Sequence, residues 1–285
     1  MSKTLLAVLA HPDDESFGMG GTLALYAKRG VDVYLVCATR GEVGEMDPKY
    51  MRGFNSIAER REAELRCAAE KLGLKEVFFL DYRDSGMPGS EDNKHPRALF
   101  AQPLEQVVSD VVHYIRLLKP QVVITFDPIG GYRHPDHIAI HNATVGAFQM
   151  SGDPNFRPDD LAPYASKKLY FHTMPRTMLR MAVRLMPLMG QNPRQVGVNK
   201  DIDLVSIAEV HFPTHARINY QPVAAIREDA SACHASQGGG RMIGGPLAHL
   251  RRWLGSSETY MRAYPEPQPG MRPEKDLFDG IDPNS

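Results

Sequence analysis

Cysteine is scarce. Cys37, Cys67 and Cys233 are the only three in 285 residues, far apart and with no C-x-x-C spacing. A disulfide scaffold or a cysteine-rich zinc site is not expected from them, and a reducing, cytoplasmic setting fits. Excess charge of either sign is missing too, with 33 Lys and Arg against 34 Asp and Glu for a formal net charge of -1. Domains that grip a nucleic-acid backbone are usually strongly basic, so nucleic acid is not the expected partner. No apolar run approaches the roughly 18 residues of a membrane span. About seven apolar residues precede His11, too few for a secretory signal with its cleavage site. The chain also lacks a G-x-G-x-x-G fingerprint, a Walker A lysine, a G-x-S-x-G elbow and an H-E-x-x-H pair. Histidine is what it has: eleven in all, three of them at His134, His137 and His141.

Hydrophobic patterning gives the fold class. Short apolar runs rich in β-branched and aromatic residues predict strands over 4–10, 31–38, 76–81, 121–127 and 168–173. Amphipathic spacing predicts helices over 20–29, 55–72, 103–118 and 134–149, with Gly73 as a stop signal. In the second of these, Arg60, Arg61, Glu62, Glu64, Arg66, Glu70 and Lys71 read as the wet side. Strands alternating with helices imply an α/β, Rossmann-like, mostly parallel sheet covered on both faces. Such sheets bind ligands beyond the carboxyl ends of their strands. The length suits one domain over 1–264, with a core to about residue 150 and a more variable region after it. Residues 265–285 read as a proline-rich extended tail with little that could be core.

The second half is less regular. Between Leu161 and Lys200 there is no acid, while two Lys, four Arg and Lys200 give seven positive charges. Met174, Met178, Met181, Met186 and Met189 lie among Arg176, Arg180 and Arg184, which predicts a surface helix packed on the core by its Met face. A lid or a subunit contact are the alternatives, since Met adapts to irregular surfaces, and a homo-oligomer stays open. Gly238, Gly239, Gly240, Gly244 and Gly245 read as a flexible loop.

Two polar clusters follow predicted strands. The first is Ala10-His11-Pro12-Asp13-Asp14-Glu15, the second Gly130-Gly131-Tyr132-Arg133-His134-Pro135-Asp136-His137. A His and an Asp three positions apart can both reach one metal ion, and catalytic zinc takes three such ligands with one position open to water. Alone, His-Pro-Asp-Asp serves as well for a helix cap. Two such clusters at two strand ends of one sheet are hard to explain as caps. Spacing does not choose between His137 and His141 as the third ligand.

Together the two clusters resemble the PIG-L/LmbE-like zinc-dependent de-N-acetylases. The resemblance runs over roughly the first 150 residues. It includes Gly20-Gly21-Thr22, Thr39-Arg40-Gly41-Glu42, Arg61-Glu62-Ala63-Glu64-Leu65, Arg83-Asp84-Ser85-Gly86-Met87 and Phe126-Asp127-Pro128, and it returns weakly at His234-Ala235-Ser236-Gln237. It implies a hydrolase that removes acetate from an N-acetylated amino sugar or its conjugate, with one zinc ion on His11, Asp14 and His137. It implies Asp13 as general base, His134 as the group that stabilises the oxyanion and protonates the leaving amine, and Tyr132 as its assistant. Arg61, Asp84 and Gln237 fall at substrate-contact positions. Asp136 either orients an imidazole or caps the helix that starts there. An amidase of a thiol-sugar conjugate is the alternative with the same site. A metal-dependent phosphoesterase and a non-catalytic sugar-binding protein are the readings from other classes.

Overall fold

The computed structural model describes residues 2–174, 176–196, 203–239 and 256–282. Continuous apolar runs make strands that are covered on both sides. Accordingly β1 (Thr4–Leu9) is wholly buried. A short α1 (Asp14–Phe17) leads to α2 (Gly20–Lys28), β2 (Asp32–Thr39), α3 (Ile57–Leu72) and β3 (Glu76–Tyr82). Next come α4 (Leu104–Leu118), β4 (Val122–Phe126), a kinked turn α5 (Gly130–Arg133), α6 (Pro135–Met150) and β5 (Lys168–Thr173). The second half adds α7 (Arg176–Leu185), α8 (Leu204–Glu209), β6 (Ala216–Asn219), α9 (Ala224–Cys233) and β7 (Ser257–Tyr264).

The seven strands form one sheet in the order β3-β2-β1-β4-β5-β7-β6. The first five run parallel, with Leu5 paired to Val33 on one side and to Val122 on the other. β7 runs antiparallel to both β5 and β6. Helices α4 and α6 form one layer, and α2, α3 and α9 the other. The chain winds outward from β1 to β3, then returns to β4 on β1's other side. That reversal opens a crevice at the carboxyl ends of β1 and β4.

Local signals behave as their chemistry dictates. Ser56 caps α3 by accepting the Glu59 N–H at 3.1 Å, and Gly73 ends it at φ 75°. Four expectations are corrected. First, the sheet has two strands, β6 and β7, that apolar spacing does not mark, because β7 buries Glu258, Thr259 and Arg262 rather than an apolar run. Second, residues beyond Pro265 do reach the core. Leu277 and Phe278 are buried, Leu277 donates its N–H to Tyr26 Oη at 2.6 Å, and Glu274 takes Lys168, Arg262 and Tyr170. Third, among the described side chains α7 presses no Met face onto the core, and the side chain of Met178 lies outside them. The helix packs on the short α8, and Met181, Leu185, Leu188 and Met189 stand exposed. Lys200 and the glycines 240, 244 and 245 lie outside the described residues. Among the described residues no helix is long and apolar enough to cross a membrane.

The fourth correction concerns cysteine. Cys67 on α3 and Cys233 at the end of α9 form a disulfide, with Cα atoms 5.8 Å apart across a separation of 166 residues. Sequence spacing shows no pairing because only the packing of α3 on α9 brings the two together. Cys37 is buried and free. Thiol titration of the denatured, unreduced chain should find one thiol out of the three cysteines. Three thiols before reduction would show the bridge absent. Cys67→Ser should lower the unfolding free energy by about 2–4 kcal/mol in a denaturant titration.

Candidate active site

The crevice gathers side chains from four strand ends. His11, Asp13 and Asp14 follow β1, and Gly41 follows β2. Asp84 follows β3, and the turn from Asp127 to His137 follows β4. At the centre, the donor groups of three residues converge, Asp14 presenting a different oxygen to each imidazole. His11 Nδ1 lies 3.2 Å from His137 Nε2, His137 Nε2 lies 3.3 Å from Asp14 Oδ1, and His11 Nδ1 lies 3.7 Å from Asp14 Oδ2. Tetrahedral ligands at about 2.0–2.1 Å from a zinc ion stand roughly 3.3 Å from one another. His141, the rival of His137, points elsewhere: its Nδ1 meets the Phe126 carbonyl at 2.8 Å and its ring lies edge-on to Phe171.

A layer of partners aims these donors. His137 Nδ1 faces the Gly130 carbonyl at 3.2 Å, which leaves Nε2 directed inward. Position 130 must be glycine, because at φ 62° a Cβ would stand 2.7 Å from His137 Cβ. His11 Nε2 faces Asp136 at 3.1 Å, with Asp84 at 3.5 Å. Asp136 is wholly buried and accepts both the N–H and the hydroxyl of Ser85. Of its two expected roles, the structure places Asp136 behind an imidazole. The cap of α6 is His134, whose Nδ1 accepts the Asp136 N–H at 3.2 Å. Two overlapping buried groups, His11 with His134 and His137, and His11 with Asp84, His134 and Asp136, also bring donor atoms close enough to share an ion. The Asp84 oxygens there already accept the N–H groups of Gly86 and Val43.

The electrostatics call for a cation. Burial alone lowers the His11 pKa, yet the nearby carboxylates of Asp84, Asp136 and Asp14 more than reverse this and hold it well above its usual value. Burial lifts Asp14 to about 7. Burial, with the His11 charge beside it, drops His134 to about 4. His134 is therefore neutral near pH 7, and with Nδ1 accepting, its proton sits on Nε2.

Asp13 stands at φ 123°, in the region L-residues rarely adopt, a conformation that costs about 1–3 kcal/mol and persists only when neighbours enforce it. Two neighbours do. Its N–H donates to Glu15 Oε2 at 3.0 Å, and its carboxylate takes Arg61 Nη2 at 3.0 Å. Arg61 also donates to the carbonyls of Pro12 and Gly41, and a Cβ on Gly41 would overlap its guanidinium at 2.0 Å. Arg61 and Glu64, expected on the wet side of α3, are thus buried, and Arg61's terminal nitrogens are committed to the loop that carries Asp13.

The sequence alone assigns no role to Glu15 or His234. The two are wholly buried and meet at 2.7 Å, with Ser16 Oγ also donating to Glu15. Burial opposes both charges, but each partner's charge prevails, lowering the Glu15 pKa and raising that of His234. His234 follows Cys233, so the bridge to Cys67 ties it to α3. Ser236 adds a second tie, donating its N–H and hydroxyl to Glu64. The only signals for the pair are the Glu at the end of the first cluster and the weak His-Ala-Ser-Gln piece. An open cavity of about 580 Å³ lies over the site, lined by His11, Asp13, Arg61, Asp84, Tyr132, His134 and Gln237 among others. Every expected substrate-contact position therefore borders one space.

Comparison with known proteins matches this arrangement. Residues 6–148 fit the family model PIG-L, GlcNAc-PI de-N-acetylase. A 1D-myo-inositol 2-acetamido-2-deoxy-alpha-D-glucopyranoside deacetylase from Streptomyces avermitilis is 34% identical over 293 residues, covering 99% of this chain and 98% of the relative. Among solved structures, the conserved protein TT1542 from Thermus thermophilus superposes with TM-score 0.60 at 22% identity, covering 94% of this chain and 98% of that one. GalB, the 4-carboxy-2-hydroxymuconate hydratase from Pseudomonas putida, follows with TM-score 0.58 at 19% identity, covering 95% and 100%. The two structures share the fold, while the family model and the full-length relative carry the chemistry. This chain belongs to the PIG-L family of de-N-acetylases and is an amide-hydrolysing enzyme.

Proposed function

We propose that the chain removes acetate from an N-acetylated glucosamine conjugate, with one zinc ion held by His11, Asp14 and His137. The observation that carries this is the triangle of three donor groups, with nearest printed atoms 3.2–3.7 Å apart and Asp13 beside it. Two imidazoles and a carboxylate, each backed by a buried partner, form a donor set suited to zinc. When bound, zinc lowers the pKa of water and polarises a carbonyl.

The chain's own residues supply the rest. Asp13, fixed by Arg61 and Glu15, takes the proton from the water that attacks the acetamide carbon. Burial raises the Asp13 pKa, which makes it a stronger base than a surface carboxylate. Neutral His134 offers its Nε2–H to the developing oxyanion, and the Tyr132 hydroxyl is a second donor. As the C–N bond breaks, the proton held on Asp13 passes to the amine nitrogen. Asp84 and Gln237 face the sugar hydroxyls, and Arg61 acts chiefly by holding Asp13. The relative named for an inositol glucosaminide makes N-acetylglucosaminyl-inositol the first substrate to test. The proposed partners are small molecules, and the Cys67–Cys233 bridge removes the scarcity of cysteine as a ground for a reducing setting.

Zinc-loaded enzyme should release acetate and amine in equal amounts from at least one of N-acetylglucosaminyl-inositol, N-acetylglucosamine and diacetylchitobiose. Asp13→Asn should keep its zinc and lose about 10²–10⁴-fold in turnover. Phosphate release from a phosphate ester, with no acetate from any amide, would overturn the proposal.

His137→Ala should lose bound zinc by atomic emission, whereas His141→Ala should retain it. The reverse result would exchange their roles.

Loss of the His234–Glu15 pair should act on kcat rather than on KM. His234→Ala should cut kcat about 100-fold, the scale of a small misplacement of a reacting group. His234→Gln, which can still donate to Glu15, should recover most of it. A variant with unchanged kcat would remove His234 from the positioning of Asp13.

A further inference from the structure

A second cavity, about 230 Å³ in volume, opens on the other side of the donor triangle. Asp13 and Tyr132 border both spaces. His11 and His134 border only the large one, Asp14 and His137 only the small one. A group bound at the triangle therefore has one substituent in each. The two walls differ in kind. The large cavity carries Arg61, Asp84 and Gln237, whereas the small one is walled by Phe17, Met19, Phe126, Tyr132, His172 and Met174. Phe126 stacks on His137 with centroids 4.0 Å apart, and the Met174 methyl covers Gly131.

Away from the donor triangle, the small cavity offers few polar groups. Asp127 accepts the N–H groups of Ile129 and Gly131. His172 is held neutral by burial, with Arg227 adding to the effect. Sugar hydroxyls entering this space would gain fewer partners than in the large cavity, whose wall carries Arg61, Asp84 and Gln237. The sugar thus belongs in the large cavity, and the carbon chain on the carbonyl side of the amide belongs in the small one.

Volume sets how long that chain is. A water-sized group occupies about 30 Å³, and an apolar cavity of about 150 Å³ accommodates benzene. The methyl of an acetyl group fills only a small part of 230 Å³. On the basis of the de-N-acetylase reading, we infer that the space between Phe17, Phe126 and Met174 is an acyl-chain pocket. It admits linear aliphatic acyl groups of about four to six carbons. The enzyme is accordingly a short-chain N-deacylase as well as a deacetylase.

The test uses zinc-loaded enzyme and N-acetyl, N-propanoyl, N-butanoyl, N-hexanoyl and N-decanoyl derivatives of one amine that it deacetylates. Each buried methylene should raise kcat/KM about fourfold until the cavity is full. The butanoyl substrate should therefore equal or exceed the acetyl one, and the decanoyl one should fall away. Met174 is 38% exposed at the rim, so a larger residue there need not disturb the core. Met174→Trp should lower the butanoyl-to-acetyl ratio at least fivefold. A butanoyl kcat/KM below that of acetyl, or a ratio unchanged in Met174→Trp, overturns the inference and leaves the deacetylase reading standing. Calorimetric titration with acetate, butanoate and hexanoate gives a readout independent of turnover. Affinity should rise with chain length in the wild type and lose that rise in Met174→Trp, and a flat series overturns the pocket. Failure to cleave any of the amides, with the rise in affinity intact, would instead sink the deacetylase reading.

Discussion

Buried negative charge is the constraint on which the site depends. Asp13, Asp14, Asp84 and Asp136 crowd around one imidazole, and among the described residues they touch, only Arg61 and His11 offset them. Leaving such charges uncompensated costs several kcal/mol each, so each carboxylate has a dedicated set of donors. Ser85 serves Asp136, the amides of Gly86 and Val43 serve Asp84, the His11 amide serves Asp14, and Arg61 serves Asp13. The high His11 pKa expresses the same surplus. A dication would answer it, and the donors that would receive one already face inward.

The strained Asp13 is maintained from the opposite direction. Its amide is fixed by Glu15, Glu15 by His234, and His234 by its place beside the Cys67–Cys233 bridge. Residues from the last part of the chain therefore hold a residue near its start. The second half, variable in appearance, is mechanically part of the site. The same holds for the antiparallel side of the sheet, where Glu258 on β7 takes the Gly21 and Thr22 amides at the start of α2.

The legible part of the molecule is the part whose signals are local. Strands from β1 to β5 announce themselves by apolar runs and helices α3, α4 and α6 by period, cap and stop. The two His-Pro-Asp clusters follow strand ends whose position any parallel sheet turns toward its ligand. What stays hidden depends on long-range packing. His137 and His141 are equivalent in spacing, and only the Gly130 and Phe126 carbonyls send them to different places. Arg61 and Glu64 look like a wet helix face until Asp13 and Ser236 are seen beneath them. β7 escapes notice because its core residue Tyr260 sits among buried Glu258, Thr259 and Arg262, whose partners lie in distant parts of the chain. Leu277 and Phe278 escape it because two apolar residues among prolines carry no period.

The sheet itself does not choose the reaction. A hydratase shares it at TM-score 0.58, so the chemistry must lie in what the strand ends carry. Here they carry two unlike spaces separated by the donor triangle. Polar side chains on one side can exchange water for hydroxyls at little net cost, whereas aromatic and Met side chains on the other cannot. This asymmetry orients an amide before any bond changes: nitrogen toward the polar space, carbonyl carbon substituent toward the apolar one. On the proposed reading, Asp13 and Tyr132, the two residues common to both, flank the carbonyl, with His134 reaching it from the polar side. The orientation follows from burial alone and holds whichever amine the polar side accepts.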